Sequence, residues 1–247
     1  IAASMLGGLI FSFLTITLRA NQNVTGLALT TFGMGVANFF GVFILNGASY
    51  TAAPLAYASF SKKIPFLSSK LGIVSKTVFA YGFLVYAAII IAVVLHYVLN
   101  LRAVGENPGT ADAAGINVTK YKYLATCIGA GLSGIGGLYY VLDYNQGIWA
   151  TTGQIEALGW LAVALVIFTT WKPLNCIWGA YLFGMLYWLY QFLPSILGIK
   201  VASYVTDLIQ MVPYVVTIIV LVVVSFRKKK ENQPPESLGL SYFREER

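Results

Sequence analysis

Charged side chains are scarce in this chain, so the place where they gather is informative. Residues 101–123 hold Arg102, Glu106, Asp112, Lys120 and Lys122, five of the 25 charged residues in a 247-residue sequence that is only 10% charged. A charged island between two apolar runs does not belong in hydrocarbon. The chemistry it offers is recognition, a short structured loop on which something docks. A second pattern offers different chemistry. Gly129-Ala130-Gly131-Leu132-Ser133-Gly134 spells G-x-G-x-x-G, and Glu156 stands 22 residues beyond Gly134. That is the outline of a dinucleotide cradle, so an oxidoreductase is one alternative. Against it, residues 143–154 are loop-like and Ala157 begins another apolar run, so no second strand ends in Glu156. The same stretch has another reading. Gly129, Ser133 and Gly137 recur every four positions and make a smooth ridge for close helix packing in lipid.

Other reactive sets are absent from the sequence. There is no Ser–His–acid set with plausible spacing, no G-x-x-x-x-G-K-[ST] phosphate loop and no pair of carboxylates within an apolar run. Cys127 and Cys176 lie in apolar runs and the chain has one histidine, which argues against a disulfide framework or a metal centre. No cofactor is expected on this chain. If ATP drives its activity, a separate chain must hydrolyse it.

The elements that carry these residues follow from composition. Apolar residues make up 58%, aromatics 15%, and mean hydropathy is +0.75. Soluble domains sit nearer half apolar with a quarter charged. Lipid can solvate this much apolar surface where water cannot. The expected fold class is all-α, a polytopic transmembrane helical bundle. Seven runs are long enough to be candidate spans: 1–18, 24–45, 78–99, 124–142, 157–171, 174–197 and 204–226. The run 157–171 is short, and only Lys172-Pro173 separates it from the next. That predicts a tight helical hairpin or a half-span lining a cavity. The first run lacks a basic n-region and leads into Arg19, so it reads as a span with further sequence before it, not as a signal peptide. Residues 1–230 form the expected membrane domain and 231–247 a tail.

The net charge of +7 reads as positive-inside bias rather than as a nucleic-acid surface. With the basic tail at 227–230 inside, 11 of the 16 Lys and Arg fall on the cytoplasmic side and 5 outside. The loop 101–123 is then cytoplasmic and the loop 46–76 external. Within 101–123, Asn107-Pro108 marks a turn or a helix start, because Asn caps and Pro suits the first helical position. Residues 110–114 read as a short helix stopped at Gly115. A docking helix and a plain amphipathic connector explain this equally well. Asn38, Trp160 and Gln191 are the polar or aromatic groups of the spans that could face a substrate path, through hydrogen bonds or ring stacking. Interhelical packing explains each of them too.

The loop nevertheless resembles something specific. LRAVGENPGTADAAGI is similar to the coupling motif of permease subunits of ABC importers that carry nucleosides and simple sugars. The matching pattern is Arg102, Gly105, Glu106, Asn107, Pro108, Ala111, Asp112, Ala114, Gly115 and Ile116. GAGLSGIGG (129–137), GLIFSFLTITLRANQNVTGLALTTFG (8–33) and the tail ENQPPESLGLSYFREER extend the resemblance over most of the chain, the tail pointing to the nucleoside branch. Members usually carry further spans before the position of Ile1. The resemblance implies a multi-pass protein of the bacterial plasma membrane that is not itself an enzyme. It implies an ABC ATPase with two nucleotide-binding domains, which binds ATP-Mg, a second permease subunit, and an extracytoplasmic substrate-binding lipoprotein. Arg102, Gly105, Glu106, Asn107, Pro108, Asp112, Gly115 and Ile116 would face the ATPase. A membrane scaffold without transport is the alternative.

Overall fold

The computed structural model describes residues 1–45, 58, 82–145, 154–197, 211–227 and 233–243. Among these there are nine α-helices and no β-strand. They are α1 (Ala2–Ser12), α2 (Gln22–Leu45), α3 (Phe83–Tyr97), α4 (Leu99–Glu106), α5 (Pro108–Ala113), α6 (Val118–Tyr139), α7 (Gln154–Phe168), α8 (Pro173–Leu197) and α9 (Val212–Arg227). Wide π-helical turns, Phe13–Thr17 and Tyr140–Tyr144, extend α1 and α6. Every apolar run expected to span thus carries a helix. Gln22–Gly41 (20 residues) and Val118–Tyr144 (27 residues) are each long and apolar enough to cross a membrane alone, and α3 with α4 passes the same test as a broken pair. Ala2–Thr17, Ala157–Phe168 and Pro173–Leu186 are shorter apolar helices. At about 1.5 Å per residue, Val118–Tyr144 is roughly 40 Å long against about 30 Å of hydrocarbon. Its first turns, with Lys120 and Lys122, therefore have room to project into the interface. The external loop expected at 46–76 and the basic run 228–230 lie outside the described residues, apart from Ala58.

The chain divides into two compact units. The first comprises residues 1–88, 99–155 and 237–247. In it α1 packs antiparallel along α6: Gly8 lies beside Thr126, Cys127 and Ala130, Met5 beside Gly131, and Ser4 beside Gly134. A Cβ placed on Gly8 would stand 2.6 Å from the Ala130 Cβ, so only glycine permits this approach. Ser12 and Thr15 are buried in the same layer and turn their hydroxyls onto their own helix, bonding the carbonyls of Gly8 at 2.8 Å and Phe11 at 2.7 Å. Polar atoms are thereby satisfied without water. Thr17 and the Tyr123 hydroxyl bond across the far end of the pair.

The expected ridge is not the flank that α1 meets. Gly131 and Gly134 with Ala130, Cys127 and Thr126 make the contact to α1, whereas a Cβ on Gly129 or Gly137 would meet nothing within 4 Å among the described residues, and Ser133 is exposed and bonded to the Gly129 carbonyl at 3.1 Å. Small residues occur on two adjacent flanks of α6, and α1 takes the other one. The dinucleotide reading also falls. Gly129–Gly134 lies in the middle of the continuous helix α6, where backbone N–H groups are already spent on intrahelical carbonyls. No strand or open turn is present there to cradle a pyrophosphate.

The second unit comprises residues 89–98 and 156–236. Its α7 and α8 form the tight hairpin. Thr170 (φ 55°) and Trp171 (φ 59°) both adopt left-handed backbone, which reverses the chain within three residues. Buried Thr169 ties the turn together, bonding the Leu165 carbonyl at 3.0 Å and the Cys176 sulfur at 3.0 Å, while Asn175 donates to the Thr169 carbonyl at 3.4 Å. Phe168 and Phe183 meet edge to face at 5.2 Å.

Candidate functional site

The charged island folds into two short helices at nearly every step for a local reason. Asn107 is extended and its side chain accepts from the Thr110 N–H at 3.1 Å, while Pro108 takes the first helical position, so α5 starts as the sequence predicts. The chain leaves α5 at Gly115, which adopts φ +84° and lets its own N–H and that of Ile116 return to the Asp112 and Ala111 carbonyls at 3.0 Å. Asn117 then caps α6, accepting from the Lys120 N–H at 2.9 Å. Three buried residues fasten the loop together: Val104 of α4, Ala111 of α5 and Val118 of α6, with Ile116, Tyr121 and Tyr242 packed against them.

Tyr242 belongs to the C-terminal segment, and that segment holds the loop. The Ser237 hydroxyl bonds the Gly105 carbonyl, and its N–H donates to the same oxygen at 3.2 Å. The Tyr242 hydroxyl donates to Asp112 Oδ2 at 2.9 Å. Lys122 donates to the Leu240 carbonyl at 3.3 Å, and the Arg19 guanidinium lies 4.3 Å from the centre of the Phe243 ring. The expected site residues therefore divide by task. Arg102, Glu106 and Asn107 are exposed on the outer surface of the loop. Gly105 and Asp112 are engaged by the tail, Gly115 makes the turn, Pro108 starts the helix and Ile116 joins the loop core. Asp112, expected on the ATPase-facing surface, thus has one oxygen turned toward the tail. The tail contacts were not expected at all, because nothing in a Ser–Tyr–Phe pattern identifies a partner more than a hundred residues away.

The substrate-path candidates are described singly. Asn38 lies exposed on α2, and Trp160 is 54% exposed on α7. Gln191 falls within α8, but its side chain lies outside the described residues.

Comparison with known proteins places this arrangement. A family model described as the branched-chain amino acid transport system permease component matches residues 1–221. A nucleoside ABC transporter permease of Lactococcus lactis is 33% identical over 230 residues, covering 87% of this chain and 69% of that protein. A guanosine ABC transporter permease of Bacillus subtilis is 30% identical over 201 residues, 74% of this chain and 59% of that protein. A permease of Haloferax volcanii, provisionally named for glucose, is 33% identical over 193 residues, 75% of this chain and 57% of that protein. The chain thus spans between 57% and 69% of the length of these three relatives. No solved structure matches it. With the family model covering residues 1–221 of 247, this membrane-embedded helical chain belongs to the branched-chain amino acid transport system permease component family.

Proposed function

We propose that the chain is a membrane permease subunit of an ATP-driven importer that carries a nucleoside or a related simple sugar into the cytoplasm. The observation that carries the reading is the loop: a capped short helix, fastened to a small apolar core and to the tail, that presents Arg102, Glu106 and Asn107 outward. A loop built this way moves as one piece, so force applied to α5 reaches α6 and, through α6, α1. The family membership and the named substrates of the nucleoside permeases support the same reading. The partners it calls for are an ABC ATPase with two nucleotide-binding domains on the loop side, a second permease subunit, and a substrate-binding lipoprotein on the opposite side. ATP-Mg would bind the ATPase and not this chain. Alternating access would come from rocking of the two permease subunits. The topology proposed with it puts the loop in the cytoplasm of a bacterial cell, with the protein in the plasma membrane.

Uptake of labelled adenosine, uridine, guanosine and glucose by cells with and without the gene tests the reading. Loss of nucleoside uptake on deletion supports it, and unchanged uptake of all four overturns it. Glu106→Ala tests the loop. Glu106 is exposed and carries no part of the loop core, so the variant should assemble normally yet lose ATPase co-purification or substrate-stimulated ATP hydrolysis. Removing a docked carboxylate leaves the group it met unpaired, at about 1–3 kcal/mol, roughly 5- to 150-fold in affinity. Wild-type values for both would mean that the loop is only a connector.

A further inference from the structure

A polar cavity of about 640 Å³ opens beside the loop, between the end of α1, the start of α6 and the tail. Its walls carry three cations, Arg19, Lys120 and Lys122, against one carboxylate, Asp112, which receives the Tyr242 hydroxyl. None of the three cations forms an ion pair with a carboxylate among the described residues; Lys122 is held by a carbonyl and Arg19 by an aromatic face. Arg19 reaches its position through a left-handed backbone (φ 58°), an uncommon conformation for a residue with a side chain, directly after the π-helical turn that ends α1. Gln22, Asn117 and Thr119 add neutral hydrogen-bonding groups to the same wall. Three cations against one carboxylate leave this wall with a net positive charge among the described residues, and an anion that enters offsets it and gains charge-assisted hydrogen bonds.

We propose that this cavity binds the phosphate of an anionic membrane lipid headgroup. Size and place choose the source. A free phosphate would occupy a small part of the volume, whereas a phosphoglycerol group fills more of it. The cavity also lies where two apolar helices begin, and the excess length of Val118–Tyr144 over the hydrocarbon leaves room for the first turns of α6, with Lys120 and Lys122, at headgroup level. Cationic pockets at such positions recognise acidic lipids. Because Leu240 and Tyr242 form part of the wall, a bound headgroup ties the tail to α1 and α6. The proposal rests on α6 crossing the membrane and not on the transport reading, so its test measures lipid binding without uptake.

The purified protein in neutral detergent is titrated with phosphatidylglycerol, with phosphatidylcholine and with inorganic phosphate, and its thermal unfolding midpoint is followed. Phosphatidylglycerol should raise the midpoint and phosphatidylcholine should not. Each cation near an anionic lipid surface is worth roughly fivefold in affinity, so Arg19→Gln/Lys120→Gln/Lys122→Gln should weaken phosphatidylglycerol binding roughly 100-fold. Lys120→Gln alone changes an exposed side chain and should cost roughly fivefold without harming the fold. Equal response to both lipids, or wild-type phosphatidylglycerol affinity in both the single and the triple variant, overturns the proposal. An equal rise with inorganic phosphate alone overturns the headgroup assignment and makes the occupant free phosphate.

Discussion

The loop and the spans of this chain are held by different forces. In the loop, Val104, Ala111 and Val118 are 3–4% exposed, and α5 and α6 each start on a capping hydrogen bond. The helices that should be most apolar bury far less of themselves. Phe43 of α2 is 68% exposed in the isolated chain, and Trp178 and Met185 of α8 are 79% and 71% exposed. In a soluble domain that distribution would be upside down. Here it follows from the solvent each region meets. Under the proposed topology water surrounds the loop and drives its apolar side chains together. Lipid solvates the spans, so nothing drives them to bury leucine and phenylalanine within one chain. Where spans do touch, as α1 and α6 do, the contact is made by Gly8, Gly131 and Gly134, because close fit is what stabilises helices in lipid.

The largest expected effect tests that division. Gly8→Leu drives a side chain into Ala130 and the Thr126 carbonyl, which stand 2.6 and 3.2 Å from the position of a Cβ. Overpacking of this kind costs about 1–3 kcal/mol or more. Gly129→Leu places the same side chain where no described residue lies within 4 Å, and should change the stability of the isolated chain by less than about 0.5 kcal/mol. Unfolding in mixed detergent measures both. If the two variants are equally destabilised, α1 does not select the Gly8–Ala130 face. A complementary result sharpens the picture: Gly129→Leu that folds alone but fails to assemble would assign the open flank to a second subunit.

How much of this was legible in the sequence depended on the range of the cause. The helices at the apolar runs were legible, because run length and hydropathy are local quantities. The start of α5 at Asn107-Pro108 and its stop at Gly115 were legible because a cap, a fixed φ and a left-handed turn each belong to one or two residues. Which flank of α6 meets α1 was not. Gly129, Ser133 and Gly137 have a clear four-residue period, yet Gly131 and Gly134 lie beside them, and periodicity alone does not say which flank meets a neighbour. The tail on the loop was not legible either. Ser237 to Gly105 and Tyr242 to Asp112 join segments separated by 132 and 130 positions, and neither end carries a pattern that points to the other.

A smaller effect is expected at the turn that closes α5. A Cβ on Gly115 meets nothing within 4 Å, so space does not exclude a side chain there; the backbone does, at φ +84°. Gly115→Val should cost about 1–2 kcal/mol, confined to the loop. Hydrogen exchange of the 110–116 amides should quicken while that of α1 and α6 beyond residue 124 stays as in wild type. Quickened exchange throughout α6 would show that loop and span unfold together, and the two regions would then be one cooperative unit.

The smallest effect separates bracing from docking. Tyr242→Phe keeps the ring on Val104, Ala111 and Val118 and removes only the hydroxyl that donates to Asp112. A hydrogen bond to a charged acceptor contributes about 1.5–3 kcal/mol when well formed, and partial exposure at this site brings that down to about 1 kcal/mol. The loss should appear as earlier protease cleavage in the tail and modestly faster exchange near Asp112, with α1–α6 packing intact. Under the proposed function it should also lower substrate-stimulated ATP hydrolysis while leaving ATPase co-purification nearly unchanged, because the outward Glu106 and Asn107 are untouched. Glu106→Ala should show the opposite order, losing association first. If Tyr242→Phe instead abolishes co-purification as fully as Glu106→Ala does, the hydroxyl or Asp112 meets the partner directly, and the tail is part of the docking surface and not its support.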